Sequence, residues 1–112
     1  MPKIGACRPA PPTNGTLRKY GLTIEAWRDI CARQDWRCPV CAEPFGTRKL
    51  AIDHAHVRRY KKLRPEEKRR HVRGVLHSHC NRYVRGWLTL ARATAILAYL
   101  TDYKRRLKYA KG

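Results

Sequence analysis

Acidic side chains are scarce in this chain. Eight Asp and Glu face 26 Lys and Arg over 112 residues, a formal charge of +18. So lopsided a balance excludes an ordinary enzyme with a neutral substrate, because such a chain repels itself unless it meets a polyanion. Nucleic acid is the expected partner, through phosphate neutralisation and counterion release; a membrane surface is the weaker alternative. Long apolar runs are missing too. No stretch of about 18 apolar residues is present to cross a bilayer, and the opening MPKIGACRPAPPTNG has no apolar core of a secretion signal. The expected location is a reducing cytoplasm, where the five cysteines point to metal ligation before disulfides. The length allows one domain with a modest core, which a bound metal would help to hold.

Residues 1–16 carry Pro2, Pro9, Pro11 and Pro12 and are expected as a flexible, Pro-rich arm that touches DNA. Cys7 lies in it with no nearby partner. Residues 17–112 are expected as a single domain. Thr23 can cap a helix over about 24–35, with Ile24, Trp27, Ile30 and Cys31 on its core face. Lys49 to Asp53 and Val72 to Leu76 read as short strands. Between them runs a very basic excursion, VRRYKKLRPEEKRRH, in which Pro65-Glu66-Glu67 looks like the first turn of a helix. Ser78 can cap a helix from His79 that Gly86 ends, and Thr89 can cap a last helix over about 90–108. That helix carries a stripe of Leu90, Thr94, Leu97, Leu100, Tyr103 and Leu107.

Two ligand pairs stand out. Cys38-Pro-Val-Cys41 forms a tight knuckle, and His77-Ser-His-Cys80 repeats the same offset after the two strands. Two such pairs close a tetrahedral site of thiolate and imidazole, which suits structural Zn²⁺ and leaves no position for water. The binding energy of such a site is folding energy. His79 competes for the histidine position, but it adjoins Cys80 and matches the first pair less well.

A second group, Asp53-His54-Ala55-His56, ends the first strand, with His54 and His56 two apart and hence on one face. Simple alternation turns Asp53 to the other side unless the chain bends there. Hydrolysis of a phosphodiester needs a base for water, a cation for the developing charge, and hard oxygen ligands for that cation. His54 suits the base at neutral pH. Asp53 offers one hard ligand, and Asn81, next to Cys80, offers another through its amide oxygen. Taken singly, an Asp-His pair reads as a surface contact and an Asn near a helix start as a cap.

Taken together, CPVC, LAIDHAH and VRGVLHSHCN, led in by KYGLTIEAW, closely resemble the recombination endonuclease VII family within the HNH ββα-metal nucleases. The resemblance covers roughly residues 19–100, with the specific motifs in 38–81. It implies an α+β fold: a zinc-stapled ββα-metal core with flanking N- and C-terminal helices. It implies that Cys38, Cys41, His77 and Cys80 hold Zn²⁺, that Asp53 and Asn81 hold a catalytic Mg²⁺ (or Mn²⁺), that His54 is the general base and that His56 assists. The implied chemistry is in-line attack by water, leaving a 5′-phosphate and a 3′-hydroxyl. Three positions depart from the family pattern. His77 stands where Cys is usual, the stretch from His56 to Arg73 is longer and more basic, and Val84 stands where some relatives place a Glu.

The basic excursion is expected to grip phosphate through Arg58, Arg59, Lys61, Lys62, Arg64, Arg69 and Arg70, with Arg73 and Arg82 near the scissile bond. Tyr60, Tyr83 and Trp87 read either as packing or as stacking platforms for exposed bases. The first functional reading is a DNA endonuclease selective for branched DNA such as a Holliday junction. That reading calls for two active sites and thus a homodimer through the C-terminal helix, whose stripe equally suits packing on the chain's own first helix. The competing readings are a general or packaging-associated nicking enzyme, and a non-catalytic zinc module that binds nucleic acid. A phage protein in its host's cytoplasm fits the family.

Overall fold

Threonines begin three of the helices. The computed structural model describes residues 8–110, so Cys7 and the first seven residues of the expected arm lie outside it. Helix α1, Asn14–Arg18, starts within the stretch expected as the arm, with the Thr13 side chain accepting from Thr16 N–H at 3.2 Å. Helix α2, Ile24–Arg33, is capped by Thr23, which accepts from Ala26 N–H at 3.1 Å. It ends two residues earlier than expected because Asp35 and Trp36 adopt left-handed backbone. The expected core face is real: Trp27 and Cys31 are fully buried, and Ile24 and Ile30 pack against them.

Strand β1, Leu50–His54, pairs antiparallel with β2, Val72–His77, in a two-stranded sheet. Leu50 faces His77, Ile52 faces Val75 and Asp53 faces Gly74, and the register slips between Asp53 and His54. A lone two-stranded sheet is marginal in water. Here α2 supports it through Gln34, whose side chain accepts from Val75 N–H at 2.9 Å and donates to Val75 C=O at 2.8 Å. Gly74 makes room for that amide, since a Cβ there would stand 2.6 Å from Gln34 Oε1.

The basic excursion is folded. A 3-10 turn over Tyr60–Lys62 leads to helix α3, Pro65–Arg70, with proline in its first turn as the sequence suggests. Gly21, with φ of +69°, lets the α1–α2 turn meet Pro65 where any Cβ would strike backbone, and Arg69 Nε donates to Gly21 C=O at 3.0 Å. After β2, helix α4 covers only Ser78–Asn81 and passes into a 3-10 turn over Arg82–Val84, rather than running on to Gly86. Helix α5, Leu90–Ala110, is capped by Thr89 as expected, its hydroxyl accepting from Arg92 N–H at 3.1 Å.

The architecture is thus α+β, with α1 and α2 before the sheet and α4 and α5 after it. The core runs from Leu17, Leu22, Trp27 and Cys31 through Phe45, Ile52, Val75 and Leu76 to Cys38 and Cys80. Helix α5 stands apart from it. Its stripe stays in solvent, with Leu97 67 % and Leu100 53 % exposed, and does not bury itself on α2. Among the described residues, no helix is long and apolar enough to cross a membrane.

Candidate metal centre and active site

The knuckle of Cys38 and Cys41 is closed by backbone. Ala42 takes left-handed φ and its N–H reaches Cys38 C=O at 2.7 Å, while Cys38 N–H reaches Glu43 C=O at 2.9 Å. The sheet register carries His77 to the end of β2 beside it, and the first turn of α4 brings in Cys80. The ligand atoms of Cys38, Cys41, His77 and Cys80 all lie within 4.8 Å of one another. A tetrahedral zinc with bonds of about 2.0–2.3 Å sets its ligands about 3.5 Å apart, and Cys41 Sγ lies 3.4 Å from His77 Nδ1. The donor set and the spacing fit Zn²⁺.

His77 is fixed from behind. Its Nε2 lies 3.2 Å from the carbonyls of both Pro44 and Phe45, which favours a proton on that nitrogen and leaves Nδ1 for the metal. That geometry decides between the two histidines. His79 is exposed and packs its ring edge-on against Tyr83. An aromatic relay, Trp27 to Trp36 to Phe45 to His77, joins the cluster to the core in edge-on contacts of 6.0 to 6.4 Å. The thiols do not ionise alike. Burial pushes Cys38 up, but hydrogen bonds from the backbone of Cys41, His77 and Val40 and from Cys80 outweigh it and lower its pKa. Burial, then the neighbouring thiols, push Cys80 up to about 11. A divalent cation removes that conflict by stabilising every thiolate together. Cys31 takes no part: buried in the core, it is pushed up to about 12.

The Asp53–His54 end of β1 lies at the other end of the hairpin. The two neighbours serve different surroundings. Asp53, only 7 % exposed, receives both edges of Arg73: Nε to Oδ2 and Nη2 to Oδ1, each at 2.8 Å. It lines a cavity with Val40, Leu76, Val84 and Leu88. His54 turns into an aromatic pocket. Its ring stacks on Tyr60 at 4.2 Å and 26°, meets Tyr20 at 5.5 Å, and lies 5.2 Å from His56, as the two-residue spacing suggested. Burial, then the nearby His56, lowers the pKa of His54 below 6.5 and favours the neutral ring.

Asn81 sits beside Cys80 and lines a cavity with Tyr20, Leu50, Ile52 and Val75. Its Oδ1 is buried and has no hydrogen-bond partner among the described residues. Such an orphaned acceptor fits a cation. Asp53 fits less readily, because both of its oxygens are engaged by Arg73. Asp53 and Asn81 line different cavities in this conformation.

The expected DNA contacts divide. Arg58, Arg59, Lys61, Lys62, Arg64, Arg70 and Arg82 are exposed. Arg69 is tied to Gly21 and Arg73 to Asp53 and to Val84 C=O. Of the aromatics offered as base platforms, Tyr83 and Trp87 are exposed, but Tyr60 is turned inward onto His54. Tyr20, Tyr60 and His71 are neighbours of His54 that its local sequence does not announce. The only signal was their shared aromatic character, which carries no register across a loop.

Residues 14–110 match the family model described as recombination endonuclease VII. The Gene 59 protein of Mycobacterium phage D29 is 38 % identical over 72 residues, and that of Mycobacterium phage L5 is 35 % identical over 72. Each match covers 63 % of this chain and 37 % of the relative, so the chain aligns with little more than a third of either protein's length. No solved structure matches significantly. With the family model spanning nearly all of the described fold, the chain belongs to the recombination endonuclease VII family.

Proposed function

We propose that the chain is a metal-dependent endodeoxyribonuclease that hydrolyses phosphodiester bonds in branched DNA such as a four-way junction. One observation carries the reading. Tyr60, which stacks on His54, is flanked in sequence by the exposed cations Arg58, Arg59, Lys61 and Lys62. A neutral imidazole beside a cluster of phosphate-binding cations is what phosphodiester hydrolysis requires.

In this reading His54 takes the proton of the attacking water, and His56 assists beside it. Arg58, Arg59, Lys61, Lys62, Arg64, Arg69, Arg70 and Arg82 hold the backbone phosphates, and Arg73 joins them on leaving Asp53. Mg²⁺ or Mn²⁺ would be held by Asn81 and, once Arg73 leaves it, by Asp53, and would neutralise developing charge on the phosphate. Cys38, Cys41, His77 and Cys80 hold Zn²⁺ and fix Asn81 through its neighbour Cys80. Paired cuts in a junction need two sites, and the solvent-facing apolar stripe of α5 supports a homodimer. The phage relatives support a place in the host cytoplasm.

One observation favours a second reading. With both Asp53 oxygens on Arg73, the protein suits a zinc module that binds DNA without cutting it. A single assay separates the two. Supercoiled plasmid and a synthetic four-way junction are incubated with the protein, with Mg²⁺ or with EDTA, beside His54→Ala. Mg²⁺-dependent cuts that His54→Ala abolishes support the nuclease, and paired symmetric cuts with the plasmid spared support junction selectivity. Binding with no cuts under any condition supports the module. Cleavage by His54→Ala at the parental rate sinks the assignment of the base.

A further inference from the structure

His54 is held in an unusual way for a general base. A histidine that moves protons is ordinarily oriented by a carboxylate or carbonyl on its second nitrogen. Among the described residues, no hydrogen bond fixes either ring nitrogen of His54. Its ring plane is set by aromatic contact instead, with Tyr60 stacked at 4.2 Å and 26° and Tyr20 tilted against it at 5.5 Å and 53°. Stacking covers the face of a ring and leaves its edge, where both nitrogens lie, uncovered by the partner.

Tyr60 is itself anchored at several points. Its hydroxyl donates to Lys68 C=O in α3 at 3.2 Å. Helix α3 is pinned to the α1–α2 turn by Arg69 on Gly21 and by the close approach of Pro65 to Gly21. The excursion leaves β1 just after His54 and returns at His71, whose carbonyl accepts from Ala55 N–H at 2.7 Å. It therefore forms a closed bracket that carries one aromatic ring back onto His54. A loop whose only task was to grip phosphate would need none of these ties.

We propose that Tyr60 is a positioning residue that fixes the imidazole plane of His54 by stacking, so that the basic excursion orients the base as well as holding DNA. The proposal rests on the reading of His54 as the general base. It concerns the ring of Tyr60 and not its hydroxyl, which faces Lys68.

The test uses the full zinc-bound chain, with a synthetic four-way junction and Mg²⁺, and compares the parent with Tyr60→Phe, Tyr60→Leu and His54→Ala. Tyr60→Leu lowers kcat on the order of 10- to 100-fold, the loss that a misplaced catalytic group produces, with KM changed less than about twofold. Tyr60→Phe keeps the ring and recovers most of that loss. The second readout is independent of activity. In the parent and in Tyr60→Phe, the His54 ring proton, identified by its absence in His54→Ala, resonates upfield under the ring current of residue 60, and it returns downfield in Tyr60→Leu. Parental kcat in Tyr60→Leu, or a His54 ring proton without the upfield shift in the parent, overturns the proposal. Should Tyr60→Leu fail to fold, the parental spectrum and Tyr60→Phe decide alone. If His54→Ala cuts as well as the parent, the reading of the base fails, and the spectrum still reports whether the two rings stack.

Discussion

Arg73 closes over Asp53 with two parallel hydrogen bonds of 2.8 Å and spends its remaining reach on Val84 C=O at 2.9 Å. The carboxylate is nearly buried, whereas the Arg73 side chain is 42 % exposed. A buried carboxylate needs a cationic partner, and the guanidinium fork supplies one of matching geometry. The hydrogen bonds that Arg73 donates to Asp53 in turn raise the pKa of Arg73, so the cation is not lost by titration. A metal ion at Asp53 would make the same electrostatic contribution. Arg73 and a cation are therefore rivals for one carboxylate.

Removing the rival should expose that competition. Arg73→Ala leaves Asp53 without a partner, at a cost of about 1–3 kcal/mol, toward the low end because water reaches the Arg73 site. Mg²⁺ should then restore part of the loss by binding the folded state alone, and should stabilise the variant more than the parent. Urea denaturation with and without Mg²⁺ measures both effects. Equal stability of Arg73→Ala and the parent in metal-free buffer would show that the pair contributes nothing.

Metal analysis of the purified chain should return one zinc per molecule. Cys80→Ser should lose it and unfold, because three remaining ligands do not close the site and the binding energy is part of the folding energy. His77→Cys should keep both zinc and fold, while His79→Ala should change neither. Acid should release the ion, since metal binding of this kind is coupled to proton release. Near-ultraviolet circular dichroism, followed as zinc is chelated, reports the coupled loss of structure. Well-folded protein that retains its signal without zinc would refute the staple.

The staple, the hairpin and the two threonine caps were legible because each has a local signature, whereas Ser78, expected as a cap, is the first residue of α4 and His77 takes the cap position. Thr23 and Thr89 announce their helices by one hydroxyl each, and the paired offsets of Cys38, Cys41, His77 and Cys80 need only a turn to be satisfied. The early end of α2 was not legible, since left-handed backbone at a bulky residue such as Trp36 is not a preference that the sequence carries. Nor was Arg73 on Asp53, which depends on the register slip beyond Asp53. Tyr60 was the hardest case. Whether its ring faces solvent or His54 is decided by the meeting of Gly21 with Pro65 and with Arg69, the latter 48 residues away in the chain.

With His54 as the proposed base, the pH dependence of cleavage is predicted by its surroundings. Burial and His56 lower its pKa below 6.5, Arg73 and His71 act in the same direction, Asp53 opposes them, and Tyr20 and Tyr60 cover the ring. A general base must be neutral, so the rate should be level above neutrality and fall only as the pH drops past 6.5 toward the lowered value. His56→Ala removes a repelling neighbour, and the acid limb should move to higher pH. The effect on stability has the same sign. The unfolded chain takes up a proton first as the pH falls below 6.5, so the fold loses stability on acidification. An acid limb centred above 6.5 in the parent would contradict this account of the pocket.

Helix α5 presents Leu90, Leu97, Leu100, Tyr103 and Leu107 to water along one side, and each is about half exposed or more. Large apolar side chains in such a row mark an interaction surface. Arg105 points away from this row, whereas Lys104, one turn from Leu100 and two from Leu97, stands beside both. Pairing of two α5 rows buries the apolar residues, and the long Lys104 side chain can reach solvent at the edge of the seam. Light scattering should therefore report a dimer at micromolar concentration. Leu100→Lys with Leu107→Lys should yield a monomer with its zinc and circular dichroism intact, because these side chains touch none of the core. That monomer should still nick one strand of a junction but lose the paired cut. A parent that stays monomeric at every concentration tested, with and without DNA, would remove the dimer.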